Sequence, residues 1–262
     1  MRNCSESWKR KLVISFKKKK ILVTDDEPGY QEVLRDEFRM ADATVLTAGN
    51  GSQALDILKN EDICAIISDV RMPGGNGIEL LDRVKTKNEK TPIVMLITGF
   101  ADLEPEDGYD KGAEAIFSKP CNLDQLVEAI YRASLPEKER FVQKYEVASN
   151  DFQIKLRVKS FDDAIQKKLF SMGRGGMFLP ITGKLPCVGM RVSFLMTSNL
   201  ISKTIFEGIG ICRWSRAVAE PNLPTGIGIE FTHLTEKSYH VYSKLMSKGK
   251  PRAFIPKGIQ KS

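Results

Sequence analysis

Two short segments constrain the fold more than any other feature: ICAIISD at 63–69 and PIVMLIT at 92–98. Both are apolar at nearly every position, whereas a strand with one face in water alternates apolar and polar residues. A continuous apolar run predicts a strand buried on both faces, as in parallel sheets that are covered by helices on each side. The sequence therefore predicts a layered α/β domain around these two segments.

The apolar pattern extends this domain over residues 21–135. Strands are predicted at 21–25, 43–47, 63–68, 93–97 and 115–118, with helices near 28–40, 52–60, 77–87, 105–111 and 123–134. Five strand–helix units in succession predict a doubly wound, five-stranded parallel sheet. Folds of this kind bind their ligands at the carboxyl ends of the strands, so the residues that end each strand are candidates for function.

Acidic and basic side chains fall at those strand ends. Asp25 and Asp26 close the first predicted strand, and Asp69 closes the third. Three carboxylates at one edge of a sheet form a set of hard oxygen ligands that suits Mg²⁺. Thr98 ends the fourth strand and Lys119 the fifth, so the same edge also carries a hydroxyl and an ammonium group. Together these are the groups needed for phosphoryl transfer to an aspartate.

The stretches ILVTDDEP, ISDVRMPGGNG, LITGF and FSKP resemble the receiver domain of response regulators over nearly all of residues 21–135. The resemblance implies the flavodoxin-like, CheY-like fold, with Asp69 as the phosphoacceptor. It also implies Mg²⁺ as cofactor and a sensor histidine kinase or phosphotransfer protein as partner. The implied magnesium ligands are Asp25, Asp26, Asp69 and the backbone carbonyl of Arg71.

Two further roles follow from the same resemblance. Thr98 would bond a phosphoryl oxygen, and Lys119, whose bond to Pro120 is commonly cis in the family, would pair with the phosphate. One position departs from the pattern, because Ile116 stands where receivers usually carry an aromatic residue, three positions before the lysine. Phe117 follows it, but neighbouring strand residues point to opposite faces, so Phe117 is no simple substitute.

A different pattern begins after residue 135. Residues 136–150 are predicted to be an exposed linker. Residues 151–248 then contain short alternating strands, FQIKLRV, GMFLPI, RVSFLM, TIFEGIGICRWS and GIGIEF, and a closing helix, TEKSYHVYSKLM. Strands without intervening helices predict an antiparallel β-barrel or sandwich, and residues 249–262 are predicted to be a basic tail. GRGGMFL and GIGICRWSRAVAEPNLPTGIGIEF resemble the PilZ domain, a small barrel that binds cyclic di-GMP.

The ligand motifs of the PilZ family are altered in this chain. The family places Arg-x-x-x-Arg before the barrel, where this sequence has Arg140-x-x-x-Lys144, and lysine lacks the planar fork of arginine. The family then has Asp/Asn-x-Ser-x-x-Gly. Here that segment is 171–176, so Ser171 replaces the acid or amide, Gly173 replaces the hydroxyl, and the final glycine is Gly176.

These changes predict weak or lost binding of cyclic di-GMP. The alternative is that the basic surface, with Arg140, Lys144 and Arg174 in altered roles, still attracts the dinucleotide. If binding is lost, we expect the barrel to serve as a docking surface for a downstream protein.

Charge separates the chain into three parts. Residues 1–20 contain eight Lys/Arg against Glu6 alone; residues 21–135 contain 11 basic and 22 acidic side chains; residues 136–262 contain 21 basic and 10 acidic ones. The two modules should therefore attract each other at low salt. Nucleic acid is a disfavoured partner, because aromatic residues are not interleaved with the basic ones. Residues 1–20 fit either a solvated extension or a segment that contacts anionic lipid.

The five cysteines are scattered without metal spacing, which predicts reduced thiols in a cytoplasmic protein. Taken together, the sequence predicts a non-enzymatic bacterial response regulator with a PilZ-like output domain. Two other functions stay open: a cyclic di-GMP effector that phosphorylation regulates, and a constitutive protein-interaction adaptor.

Overall fold

The computed structural model describes residues 14–99, 103–142, 148, 150–200, 203–221, 223–249 and 251–258. Within them the chain forms two sheets, one of five strands and one of six. None of the described helices is both long and apolar enough to cross a membrane.

The first sheet is parallel, and its strand order is β2-β1-β3-β4-β5. Its strands are β1 (Lys20–Thr24), β2 (Thr44–Ala48), β3 (Ala65–Asp69), β4 (Ile93–Thr98) and β5 (Ala115–Ser118). The helices are α1 (Pro28–Met40), α2 (Gly51–Asn60), α3 (Gly77–Lys87), α4 (Pro105–Lys111) and α5 (Leu123–Ser134). The predicted five-stranded α/β fold is confirmed, and β3 and β4 are buried along their whole length.

Alternate residues of these strands feed two apolar layers, one on each face of the sheet. Ile21 and Ile67 belong to the layer that α1 and α5 cover, while Leu22 and Ile66 belong to the layer on the α2 and α3 side. The sheet is thus held rigid from both sides, which fixes the strand ends that carry the polar residues.

Part of the basic N-terminal extension is packed against the first domain. Phe16 is 2% exposed and lies against Phe38 and Tyr131. Its amide donates to the Ala41 carbonyl at 2.7 Å. Phe16 therefore anchors this end of the extension in the core, while Ser15 and residues 17–19 are exposed to solvent. The expectation of lipid contact concerns mainly residues 1–13, which lie outside the described part of the chain.

The second sheet has the order β6-β9-β10-β11-β8-β7. Its elements are β6 (Phe152–Val158), α7 (Phe161–Gln166), β7 (Ser171–Met172), β8 (Gly176–Pro180), β9 (Arg191–Ser198), β10 (Thr204–Arg216), β11 (Gly226–Leu234) and α8 (Glu236–Lys248). The five predicted strands and the closing helix are present. The prediction of a wholly antiparallel sheet is wrong, because β6 pairs in parallel with β9. The prediction of strands without intervening helices is also wrong, because α7 follows β6. The side chain of Ser160, the residue before α7, accepts a hydrogen bond from the Asp163 amide and caps the helix.

The predicted linker contains a helix that packs on the second sheet. This helix, α6 (Glu137–Phe141), buries Phe141, which is 1% exposed and contacts Phe231 and Tyr242 edge-on. In the sequence this segment shows a single aromatic residue among charged neighbours. That pattern does not distinguish a short helix packed on the sheet from an exposed linker.

The C-terminal residues 251–258 are not a free tail. Ala253, Phe254 and Ile255 are at most 4% exposed and lie between the two sheets. Phe254 and Ile255 join Tyr109, Phe178 and Trp214 in an apolar cluster to which both domains contribute. The pattern Ala-Phe-Ile-Pro within a basic stretch is too short to show periodicity, so the sequence did not reveal its burial.

Ion pairs between the domains follow the predicted difference in charge. In four pairs a basic residue from the second part of the chain meets an acid of the first: Arg174–Glu114, Arg216–Glu106, Arg252–Asp82 and Lys257–Asp107. A fifth pair, Arg132–Glu230, has the opposite polarity. The expected attraction between the two modules is thus matched by specific contacts.

Candidate functional site

Three carboxylates meet at the carboxyl edge of the parallel sheet. Asp25 and Asp26 follow β1, and Asp69 ends β3, the strand beside it. Each can present an oxygen within 4.8 Å of the others. Asp25 and Asp69 are 1% and 7% exposed, whereas Asp26 is exposed to solvent. The parallel pairing of adjacent strands produces this cluster, because it places the strand ends side by side.

Lys119, just beyond β5, extends across the sheet to this cluster. Its Nζ lies 2.8 Å from Asp69 Oδ2, 3.0 Å from Asp25 Oδ2 and 3.3 Å from Glu27 Oε1. Burial by itself would lower the pKa of Lys119, but hydrogen bonds to Asp69 and Asp25 raise it above its ordinary value. The side chain is therefore a permanent cation at physiological pH.

Burial acts in the opposite direction on Asp25. It raises the pKa of Asp25 above the ordinary value, although the Glu27 amide and Lys119 both donate to its carboxylate and lower the pKa. Desolvation of the charged form is the larger effect here. An additional cation at this edge would stabilise the ionised carboxylate.

The donor set fits a magnesium ion. Mg²⁺ prefers oxygen ligands, usually one or two protein carboxylates together with waters. Asp25, Asp26 and Asp69 supply the carboxylates, and the exposed position of Asp26 leaves the site open to water. Arg71, the other implied ligand, lies two residues beyond Asp69, and its amide faces Asp69 Oδ1 at 3.4 Å.

The remaining receiver-type residues lie at neighbouring strand ends. Thr98 is the last residue of β4 and is 7% exposed, with its hydroxyl donating to the Gly99 carbonyl at 3.0 Å. The amide of Lys119 donates to the Thr98 carbonyl, which couples the two positions. The bond between Lys119 and Pro120 is cis, as the resemblance implied.

Sequence reasoning missed three residues that surround this site. The Tyr30 ring lies 4.8 Å below Lys119 Nζ, and Glu27 adds a third acidic partner to the lysine. Gln31 donates to the Asp25 carbonyl at 2.5 Å and to Ala48 at 3.1 Å. All three lie at the start of α1, and only the bend of the chain after Asp25 turns them towards the site.

Ile116 and Phe117 point to opposite faces of β5, as predicted. Phe117 packs in the layer covered by α1 and α5. Ile116, which pairs in register with Leu96 of β4, packs towards α4 and borders the interdomain cluster of Tyr109 and Phe254. The departure from the aromatic pattern thus falls on the face that meets the second domain.

Two of the side chains predicted to form a degenerate nucleotide site, Arg140 and Arg174, line one cavity of about 650 Å³, but both are held by protein groups. Ser171 lies in β7 and is 7% exposed, and Arg174 is bonded to Glu114 at 3.0 Å. The Arg140 guanidinium donates to the carbonyls of Ala133 and Leu135. Lys144 lies outside the described residues.

Close backbone approach explains two of the three glycines in residues 171–176, Gly173 and Gly176. A Cβ atom on Gly173 would lie 2.5 Å from the Phe254 carbonyl oxygen, and one on Gly176 would lie 2.0 Å from the Ile229 carbonyl oxygen. At position 173, neighbouring backbone therefore fills the space that the hydroxyl side chain of the ligand motif would require.

Comparison with known proteins gives a consistent result for the first domain. The family model described as "Response regulator receiver domain" matches residues 21–131. Sporulation initiation phosphotransferase F of Bacillus subtilis is 32% identical over 112 residues, which are 42% of this chain and 90% of that protein. The DNA-binding transcriptional regulator NtrC of Escherichia coli is 31% identical over 114 residues, or 43% of this chain, but only 24% of that longer protein.

Among solved structures, the response regulator protein TrrA from Thermotoga maritima, in complex with Mg(2+)-BeF, is 28% identical. The match covers 44% of this chain and 98% of that one, with a TM-score of 0.41. The family model falls on the first domain.

Proposed function

Because this chain belongs to the response regulator receiver family through residues 21–131, we propose that Asp69 accepts a phosphoryl group from a histidine kinase or phosphotransfer protein. The observation that carries the proposal is the contact of Asp69 with Lys119 at 2.8 Å inside a cluster of three carboxylates. A nucleophilic carboxylate beside a fixed cation is the arrangement that phosphoryl transfer requires.

The transfer exchanges one bond for another. An Asp69 oxygen forms a bond to phosphorus, and the bond between phosphorus and the nitrogen of the donor histidine breaks. Lys119 is placed to neutralise charge on the incoming phosphoryl group. Thr98, which carries a hydroxyl, is the last residue of the adjacent strand. Mg²⁺ held by Asp25, Asp26 and Asp69 would supply the further positive charge that offsets repulsion between carboxylate and phosphate.

Incubation with acetyl phosphate and Mg²⁺ tests this assignment. We expect one phosphoryl group per chain by intact-mass spectrometry, and none in Asp69→Asn, which keeps the shape but lacks the nucleophile. Asp56→Asn is the matched control, since its side chain is 72% exposed and lies on α2. Full labelling of the Asp69→Asn variant would disprove the role of Asp69.

For the second domain we propose a PilZ-like output module with weak or no binding of cyclic di-GMP. The filled segment at 173–176 supports this, because the carbonyl oxygens of Ala253 and Phe254 would lie 2.7 and 2.5 Å from a side chain at 173. The engaged guanidinium groups of Arg140 and Arg174 support it as well. A dinucleotide at that segment would have to displace residues 252–256.

Calorimetric titration of the full chain with cyclic di-GMP at near-physiological salt tests this second part. We expect no binding at micromolar concentrations. A submicromolar dissociation constant that Arg140→Ala abolishes would establish the alternative, a cyclic di-GMP effector.

The contact between the domains gives the signal a route. Thr98 and Leu96 lie on the same strand, β4, and Leu96 pairs with Ile116 of β5. Ile116 in turn borders the apolar cluster between the domains, which consists of Tyr109, Phe178, Trp214, Phe254 and Ile255. We propose that phosphorylation changes the packing on this α4–β5 face. Hydrogen exchange in α4 and β5 should therefore differ between the chain alone and the chain with acetyl phosphate.

A further inference from the structure

The C-terminal segment 251–258 is bound in a site that both domains build. The Arg174 and Gly175 amides donate to the carbonyls of Ala253 and Phe254, each at 2.9 Å. The Phe254 amide donates to the Tyr109 carbonyl at the end of α4, also at 2.9 Å. The segment therefore bonds to the second domain through its carbonyls and to the receiver through an amide, as a peptide ligand bonds to a groove.

An aromatic subsite holds Phe254. The ring stacks on Tyr109 with a centroid separation of 6.3 Å, and the Arg174 guanidinium lies 5.8 Å from it. The ring also lies against Gly175, where a Cβ atom would be 2.0 Å from it. Only a residue without a side chain at 175 leaves room for this ring.

Two acidic subsites on the receiver hold the basic residues that flank Phe254. Arg252 contacts Asp82 of α3 at 2.6 Å and donates to the Lys111 carbonyl at 3.0 Å. Lys257 contacts Asp107 of α4 at 2.6 Å. The pairing with Arg252 lowers the pKa of Asp82 below its ordinary value.

The Lys257 backbone extends these contacts. Its amide donates to Asp110 Oδ1 at 3.0 Å, and its carbonyl accepts from Arg216 at 3.0 Å. The basic residues near the two ends of the segment thus form ion pairs with acidic residues of the first domain. The carbonyls of the segment accept hydrogen bonds from N–H donors of the second domain.

We propose that this composite groove is a peptide-docking site, and that residues 251–258 are its resident, detachable occupant. The peptide it recognises has a basic residue two positions before an aromatic one, and an aliphatic residue, a proline and a second basic residue after it. A peptide of that chemistry on another molecule competes with residues 251–258 for the groove. This inference is independent of whether Asp69 is phosphorylated.

A labelled peptide provides the direct test. A fluorescein-labelled peptide of residues 251–258 is titrated by fluorescence anisotropy into the full wild-type chain and into the Phe254→Ala chain. In the variant the resident segment lacks its aromatic anchor, so we expect the peptide to bind at least tenfold more tightly than it binds wild type. The double variant Gly175→Ala/Phe254→Ala should lose this binding, because the new methyl group occupies the ring position. Equal binding to wild type and Phe254→Ala, or no binding to either, would overturn the proposal.

Hydrogen exchange gives a second measurement with a milder change. Arg252→Ala/Lys257→Ala removes both acidic-subsite contacts but keeps the apolar residues. We expect faster exchange at the Arg174 and Gly175 amides than in Lys248→Ala, whose lysine is exposed on α8. Unchanged protection of these two amides in the double variant would show that the segment is a fixed part of the core rather than a detachable ligand.

Discussion

Two lysines of the first domain carry the same charge in different surroundings: Lys119 lies at the carboxylate cluster, and Lys85 lies at the interface between the domains. Lys119 is 22% exposed and faces Asp69, Asp25 and Glu27, so that its pKa is raised. Lys85 of α3 is fully buried at the interface with the second domain, where burial lowers its pKa to about 8 despite its contact with Glu114 at 2.7 Å.

The difference lies in the number of carboxylates that each cation meets. The Lys119 cluster has more acids than bases and is open to solvent, so it can take up a metal ion and a phosphoryl group. Lys85 shares the single carboxylate of Glu114 with Arg174, which is 3.0 Å from the same oxygen. The second cluster has two cations for one carboxylate and is buried, and we interpret it as an element that holds the domains together.

The largest effect should come from removal of the shared carboxylate. In Glu114→Gln, Lys85 and Arg174 stay buried without a counter-charge, and the Val94 amide loses a charged acceptor that lies 2.7 Å away. Loss of one partner from a buried ion pair costs about 3–5 kcal/mol, so we expect a decrease of that size in the free energy of unfolding, measured in urea.

The matched control is Glu61→Gln, whose partner Lys20 is 44% exposed at 2.6 Å. Exposed pairs contribute about 0–1 kcal/mol. Similar losses in the two variants would contradict the contrast between the buried cluster and an exposed ion pair.

A smaller effect is expected at the open cluster when its lysine is neutralised. In Lys119→Met the three aspartates keep their charge, and Mg²⁺ no longer faces a competing cation. A unit and a double charge about 4 Å apart repel by roughly 2 kcal/mol even in water. We therefore expect Mg²⁺ to bind roughly ten- to thirtyfold more tightly in calorimetric titration. Lys59→Met, which alters an exposed lysine on α2, should leave the dissociation constant unchanged; equal affinities in all three chains would refute the expectation.

The smallest effect, when expressed per pH unit, concerns the response of stability to pH at Lys85. Its pKa is about 8 in the folded chain and 10.5 ordinarily, so the unfolded chain holds more protons between these values. The free energy of unfolding should gain up to about 1.4 kcal/mol per pH unit from this group as pH rises.

Lys85→Met removes that contribution, so subtraction of the two pH profiles isolates it. Burial also raises the pKa of Cys121 and Cys212 to about 11, which acts in the opposite sense but is common to both chains. Parallel profiles between pH 8 and 10 would mean that Lys85 does not titrate in this range.

The receiver fold could be predicted in detail because its signals are local. Continuous apolar runs mark β3 and β4, and residues such as Asp69 and Lys119 sit at strand ends that the period of the pattern locates. Parallel topology then brings those ends together, since every strand has its carboxyl end at the same edge.

The second domain was predicted less completely because its decisive contacts are distant in sequence. The pairing of β6 with β9 joins residues about forty positions apart, and α7 is only six residues long. Neither leaves a periodic signal over a window of useful length.

The sequence by itself determined the parallel sheet, the carboxylate edge at Asp25, Asp26 and Asp69, and the opposite charges of the two halves. Only the tertiary structure decided what those charges meet. Arg174, read from the sequence as a ligand residue, bonds instead to Glu114 of the other domain, and Phe254 of an apparent tail fills the space over Gly175. Periodicity reports which face of an element is apolar, whereas the partner of a single buried charge or ring depends on chain segments far apart in sequence.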